Sequence, residues 1–577
     1  MDVPTTYPAP DVPLQIGDRQ VFWVLNTDTS QPFQASAILR TITDHLYFWI
    51  QEGVAYNQDD LLSLAETFEK QIYPTNRAFF GSEWTPGVDS DPHLYVLYVQ
   101  DLGSSTAGLF SPVDEYSPLV HEYSNAHELF LLNADRLKLG REYTYHTFAH
   151  EFQHMIHWYR DRNETVWLDE GFSELAALIN GYAASTFAED YAADPDLQLN
   201  DWPNENSLKP AHYGASFLFA TYILDRFGAE LTQALVGDQE NGMESLDNVM
   251  AEMGVTDPVT RKAMGADDVF LDWAVANYLQ DPGVADGRYT YHIYSQVPMP
   301  EEAERIRSCP LEKSRRDVSQ YGVDYIRITC PGEYILHFEG SQSVKLLAQD
   351  PYSGSYAYWS NRGDESDMTL SRRFDFSCYS GPLTLSFWTW YDLEKDYDYV
   401  YLEASLDGEN WQILNTPSGV GEDPSGNSYG WGYNGWSGGG PEWIQEQVDL
   451  SQFVGQQVTL RFEYITDAGV NGEGFVLDDV TIPEIGYLAD FELDDGGWQG
   501  NGFVRLQNVL PQSFRLALIK KGLTTTVDYI SLAPDGTADI PLSIGEDIRE
   551  VILVVSGTTR FTRQKAGYQL EITRNPA

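Results

Sequence analysis

Basic side chains are scarce in this chain: 35 Lys and Arg stand against 87 Asp and Glu, a formal charge of −52. Nucleic acids and anionic membrane surfaces are bound by cations that neutralise phosphate, so both partner classes are disfavoured. Cysteine is nearly absent as well. Cys309, Cys330 and Cys378 leave at least one thiol unpaired, which excludes a disulfide-built scaffold, although Cys309 and Cys330 would close a small loop in an oxidising compartment. No apolar run approaches the roughly 20 residues of a membrane helix. The polar start Met-Asp-Val-Pro-Thr-Thr-Tyr-Pro lacks the charged and apolar regions of a secretion signal and reads as a mature or trimmed beginning. The acidic residues are spread rather than blocky, which suits a solubilising surface, candidate calcium sites or halophilic adaptation.

What is present is concentrated in His-Glu-Phe-Gln-His at 150–154 and Trp-Leu-Asp-Glu-Gly-Phe-Ser-Glu at 167–174. On a helix, His150 and His154 are one turn apart on one face, where two imidazoles share a tetrahedral zinc. Glu151 lies between them as the general base that a zinc-bound water requires. The third ligand follows one of two patterns. A metzincin would need a His or Asp where this chain has Arg160, and arginine cannot ligate zinc. A gluzincin uses a Glu on the following helix, and Glu170 fits, with fifteen residues between it and His154. Glu174, one turn further on, can reach back to a ligand imidazole. Two carboxylates on the apolar helix 166–179 are expensive to bury unless they bind something.

Residues 150–174 resemble the gluzincin zinc peptidases, most closely the hyicolysin-like group with its HEFQHM-type zinc helix and WLNEG-type ligand helix. WLDEGF is also similar to the ligand helix of the aminopeptidase N-like family, at a spacing three residues shorter. The resemblance implies a zinc peptidase with His150, His154 and Glu170 as ligands and Glu151 as base. It also implies an oxyanion donor from a later helix. Tyr213 in His212-Tyr213-Gly214-Ala215-Ser216 is the candidate and His212 the substitute. The strand read at Glu128, Leu129 and Phe130 onward is expected as the sheet edge that pairs with extended substrate, which favours endopeptidase action. The Gly-x-Met-Glu-Asn string of aminopeptidases is missing, and Glu128 is the one residue at a comparable distance from the zinc helix.

At 577 residues the chain should divide into about three domains. The expected fold is multidomain: an α+β, two-lobed zincin-type metallopeptidase domain followed by all-β sandwich and jelly-roll domains. Residues 1–300 carry the catalytic domain, with a β N-terminal lobe, a helix from about Asp60 to Ile72, a buried strand Leu94–Val99 and a helical lobe from Ala211 to about Leu279. The Pro-containing stretch 281–316 leads out of it. Beyond about 317, short strands with Gly-rich turns take over. Residues 353–500 resemble the jelly-roll module of immune inhibitor A-type peptidases and MAM-like domains. Residues 317–352 and 501–577 would form one sandwich interrupted by that module, or two small consecutive β domains.

Asp392, Glu394, Asp396, Asp398, Asp478 and Asp479 supply the oxygen ligands of a calcium site. Alternating Asp396 and Asp398 share one strand face, as a metal site or as two solvated charges. Trp431, Tyr433 and Trp436 would stack on sugar or pack locally. Taken together, the expectation is a secreted zinc endopeptidase acting on protein or peptide, with Zn2+, candidate Ca2+ sites in the β modules, and β modules as candidate binders of protein or glycan. The secreted location follows from the resemblance alone. The alternatives are an aminopeptidase of related gluzincin type and a non-catalytic adhesion or binding protein that uses the β modules.

Overall fold

The computed structural model describes residues 4–9, 12–182 and 186–575. The chain forms two compact units, one of Met1–Pro74, Ser82–Asn163 and Gln349–Asn508, the other of Thr75–Gly81, Glu164–Ala348 and Val509–Ala577. An α+β N-terminal part is followed by a β-rich C-terminal part.

The first unit begins with a six-stranded sheet: β1 (Arg19–Asn26), β2 (Gln31–Ile42), β3 (Leu46–Gln51), β4 (Leu94–Val99), β5 (Gly108–Phe110) and β6 (Leu129–Asn133), in the order β1-β2-β3-β4-β6-β5. β3, β4 and β6 run parallel. Their unbroken apolar runs, Leu-Tyr-Phe-Trp-Ile, Leu-Tyr-Val-Leu-Tyr-Val and Leu-Phe-Leu-Leu, are buried throughout, as parallel strands covered on both faces must be. On one face Phe48 and Phe130 pack on Phe148. On the other, Phe22, Trp49, Tyr95 and Leu131 form a separate core.

Helix α1 (Gln58–Thr67) is capped by Asn57, whose side chain accepts from the amides of Asp59 and Asp60. The expected helix end at Ile72 is overrun. A π turn (Phe68–Ile72) carries the chain directly into α2 (Tyr73–Phe80), because Phe68 and Ile72 continue the buried stripe. The zinc-motif helix α3 (Glu142–Arg160) follows β6.

β6 was expected at the sheet edge, and the topology corrects this. It lies between β4 and β5, and the three-residue antiparallel strand β5 forms the edge. Residues 356–507 add two further sheets, with Thr384–Asp392 and Gly474–Ile482 central in one and Gln457–Ile465 central in the other. Phe387, Phe462, Phe475 and Leu402 belong to their shared core.

The second unit carries α4 (Val166–Ile179), α5 (Phe187–Ala193), α6 (Lys209–Phe227), α7 (Ala229–Leu235), α8 (Gly242–Glu252) and α9 (Ala266–Leu279). Its strands come from both sides of the intervening segment. Leu336 pairs with Ile540 and Ile572, and Ile326 with Leu553. These strands bury one core that neither segment could form alone. Cys309 and Cys330 are joined by a disulfide at a Cα separation of 5.8 Å, and Cys378 is a free, exposed thiol.

The same unit buries a guanidinium. Arg288, 4% exposed, pairs with Asp257 at 2.5 Å, Asp286 at 2.7 Å and Asp272 at 3.2 Å. Burial pushes the Asp272 carboxyl up to about 6, against the donors Tyr529 and Arg288. A raised carboxyl stabilises the fold fully below its unfolded pKa of about 4 and loses that contribution as pH rises through about 6. Arg288→Met leaves Asp257 and Asp272 without their cation and is expected to cost about 3–5 kcal/mol. Urea unfolding should show a greater loss at pH 8 than at pH 5, where Asp272 takes up a proton.

Candidate metal centre

Helix α3 buries almost its whole length: of residues 146–158, only His154 is more than marginally exposed. His150 is 8% and Glu151 5% exposed. The i, i+4 spacing turns both imidazoles to one side, with Nε2 of His150 3.0 Å from Nε2 of His154 and the ring planes 80° apart. Two imidazoles on one tetrahedral zinc, at Zn–N of about 2.0–2.1 Å, hold their nitrogens about 3.3 Å apart. The pair therefore needs only a slight opening to hold an ion. His146, one turn earlier, was missed from the sequence, although His146 and His150 repeat the same spacing; its ring lies 6.3 Å from that of His150.

The Glu151 carboxylate meets the sheet edge. The Phe110 amide of β5 donates to Oε2 at 2.9 Å. Gly108 makes this contact attainable: a methyl group there would lie 2.5 Å from Oε1 of Glu151 and 2.7 Å from Thr147. The backbone of the edge strand thus rests directly on the candidate base.

In the second unit α4 occupies the range expected for the ligand helix, Val166–Ile179. Glu174 is 3% exposed and Glu170 is half-buried. Tyr213, on the first turns of α6, donates from its hydroxyl to Oε1 of Glu170 at 2.9 Å. Its ring is fixed by Trp202 at 5.0 Å and Phe187 at 5.1 Å. Gly171 and Gly214 permit this packing. A Cβ on Gly171 would meet the Ser216 carbonyl at 2.8 Å, and one on Gly214 would meet the Phe187 carbonyl at 1.9 Å. His212 packs on Trp202, and burial lowers its pKa, favouring the neutral ring. The sequence missed the Tyr213–Glu170 bond because forty-three residues separate the partners. The candidate ligands divide between the units: His146, His150 and His154 lie on α3 of the first, and Glu170 and Glu174 lie on α4 of the second.

The residues read as the substrate edge lie elsewhere. Glu128 is 1% exposed and accepts the Val88 amide at 2.7 Å, with burial pushing its carboxyl up to about 8. Leu129 and Phe130 are core residues of β6.

The six candidate calcium ligands separate. Glu394 and Asp398 gather with Asp467, which the sequence gave no reason to include. Asp398 accepts the Tyr464 hydroxyl at 2.9 Å. Asp396 and Asp398 do not share a strand face, since both precede the strand Tyr399–Ser405 and Asp396 has φ 72°. Asp392 accepts the Trp436 indole, and Asp478 and Asp479 accept from Ser353. Of the aromatic trio, Tyr433 is fully buried, Trp431 donates to the Thr416 carbonyl and Trp436 is exposed. No helix among the described residues is long and apolar enough to cross a membrane.

Residues 341–507 match the family described as Immune inhibitor A-like, MAM domain. The chain is similar to the pre-pro-metalloprotease PrtV of Vibrio cholerae, at 35% identity over 136 residues, 23% of this chain and 13% of that protein. It is similar to the neutral metalloprotease ShpI of Staphylococcus hyicus, at 23% identity over 270 residues, 41% of this chain and 58% of that protein. Immune inhibitor A of Bacillus thuringiensis subsp. alesti matches at 33% identity over 134 residues, 23% of this chain and 18% of that protein. The matches thus span less than two thirds of these relatives. The resemblance to hyicolysin-like and immune inhibitor A-type metallopeptidases holds, and relatives of this kind imply a metal, typically zinc.

Gly108→Ala should force β5 and Glu151 apart and lower stability by about 1–3 kcal/mol in thermal unfolding. Adding Glu151→Ala removes the obstructing Cγ and carboxylate, and should recover part of that loss in a double-mutant cycle.

Proposed function

We propose that this chain is a secreted, zinc-dependent endopeptidase, with zinc held by His150, His154 and Glu170 and Glu151 as general base. The observation that carries the reading is the pair of Nε2 atoms 3.0 Å apart on α3, beside a carboxylate held at the free edge of the sheet. Glu170 as third ligand keeps the gluzincin spacing, and it leaves His146 and Glu174 as flanking groups that orient the ligands. The donors, two imidazoles and one carboxylate, suit a catalytic zinc. Bound there, zinc supplies Lewis acidity that brings water to a pKa near ~7 and polarises the scissile carbonyl.

The protein's own groups do the rest. The outer edge of β5 aligns an extended peptide by backbone pairing and brings its carbonyl to Glu151. Glu151 takes the proton of the attacking water and delivers it to the leaving amine. The Tyr213 hydroxyl, beside Glu170, or His212 donates to the oxyanion. The β part is read as a jelly roll inserted into a sandwich, binding protein or glycan partners. The acidic group around Asp398 is read as its calcium site. An aminopeptidase would use Glu128 for the substrate amine, and its burial against Val88 speaks against that role.

Glu151→Gln should keep one zinc per chain by elemental analysis while kcat on a quenched peptide falls about 10²–10⁴-fold. His154→Ala should lose the zinc, whereas His146→Ala should retain it. A chelator should abolish turnover, and added zinc should restore it. Product mapping should find internal cuts; release of single N-terminal residues would instead establish an aminopeptidase. Activity indifferent to both chelator and Glu151→Gln would refute the zinc-peptidase reading and leave the adhesion protein.

A further inference from the structure

The connection from β5 to β6, residues 111–128, encloses carboxylates that the peptidase chemistry does not use. Glu115 closes the 3-10 turn Pro112–Glu115 and is 2% exposed; Glu128, 1% exposed, enters β6. The His127 amide donates to the Asp114 carbonyl at 2.9 Å, which ties the two ends of the connection together next to both residues. The other acids nearby are provided for. Asp89 holds the His127 imidazole at 2.7 Å, Asp114 accepts the Asn125 amide and side chain, and Glu83 accepts the Tyr73 hydroxyl.

Glu115 is different in having no hydrogen-bond donor at either oxygen among the described residues, and Oε2 of Glu128 also has no partner there. The Glu128 carboxylate is also pressed onto the backbone, since a methyl on Gly87 would lie 1.9 Å from Oε2. The one cation that acts on Glu115 is Arg162, and it forms no ion pair with either acid; its guanidinium lies over the Trp158 ring at 4.5 Å. Burial and the charge of Glu128 both oppose ionisation of Glu115.

Two buried carboxylates with three unfilled oxygens match a small divalent charge. A single shared proton would still leave at least one of those oxygens bare. The two side chains offer carboxylate oxygens alone, which selects a hard ion. The irregular loop geometry suits calcium, which takes 6–8 oxygens flexibly, better than magnesium with its strict octahedron.

We propose that Glu115 and Glu128 form a calcium-binding site that pins the 111–128 connection. The site is separate from the group around Asp398 and does not depend on the zinc-peptidase reading. Its consequence reaches the sheet edge. Tyr116, next to Glu115, packs edge-on against Trp158 of α3 at 5.9 Å and donates to the Glu365 carboxylate at 3.2 Å. Calcium there fixes the exit of β5 and, through Tyr116, the contact between that connection and the inserted β segment.

The full chain, stripped with EGTA and titrated with calcium chloride, provides the test by equilibrium dialysis and thermal unfolding. The Glu115→Gln/Glu128→Gln variant should bind one calcium fewer per chain than the unmutated protein. In EGTA at alkaline pH, where the carboxyls of the unmutated protein are driven to ionise, the variant should melt higher than the unmutated protein, and it should gain less on calcium addition. Asp398→Asn serves as reference: its own loss of binding should add to that of the double variant. Unchanged calcium stoichiometry in the folded double variant overturns the site. If that variant does not fold, terbium replaces calcium in the unmutated chain, with luminescence excited through tryptophan. Trp158→Phe should then remove most of the sensitised signal, and an undiminished signal overturns the site.

Discussion

A carboxylate removed from water must be met by a donor, a cation or a proton. With 87 acidic and only 35 basic residues, this chain cannot meet that demand with ion pairs. It relies largely on uncharged donors, and its 36 tyrosines supply many of them. Tyr213 holds Glu170, Tyr464 holds Asp398 and Tyr529 holds Asp272. A hydroxyl orients a carboxylate without cancelling its charge, so each such site stays receptive to a metal ion or a proton. Where a full cation is buried, as at Arg288, several acids converge on it.

That distinction separates the parts of the centre that the sequence discloses from those it conceals. The two helices that carry the candidate ligands are legible as helices because their signal is local: apolar residues at helical period, with His150, Glu151 and His154 set on one of them at one-turn spacing. α4 occupies the bounds read from its apolar stripe. His146 carries the same one-turn spacing to His150 but lies outside the complete motif. The Tyr213–Glu170 bond and the grouping of Asp467 with Asp398 had no local signal, since each joins residues brought together by the fold alone.

The sheet edge illustrates the same limit. Leu129–Leu132 is apolar at every position, which in a mixed sheet marks an inner strand rather than an edge. The edge itself is Gly-Leu-Phe, too short and too plain to stand out. Its identity is set by what it touches. Gly108 has no side chain because Glu151 occupies the space, and the Phe110 amide is turned to the same carboxylate. A glycine forty-three residues before the candidate base is therefore as much a part of that base's setting as the two histidines beside it.

Strand order thus links the chemistry to the connection that follows β5. The chain can leave the edge only through residues 111–128, and there it buries Glu115 and Glu128 while placing Tyr116 between Trp158 and Glu365. A three-residue strand has few hydrogen bonds with which to hold its own register. Its position must be fixed from outside, by Glu151 at one end of the contact and by the packed connection at the other. Any ion or module that stiffens that connection acts on the strand without touching the candidate ligands, which gives the β-rich half of the chain a physical route to the candidate centre.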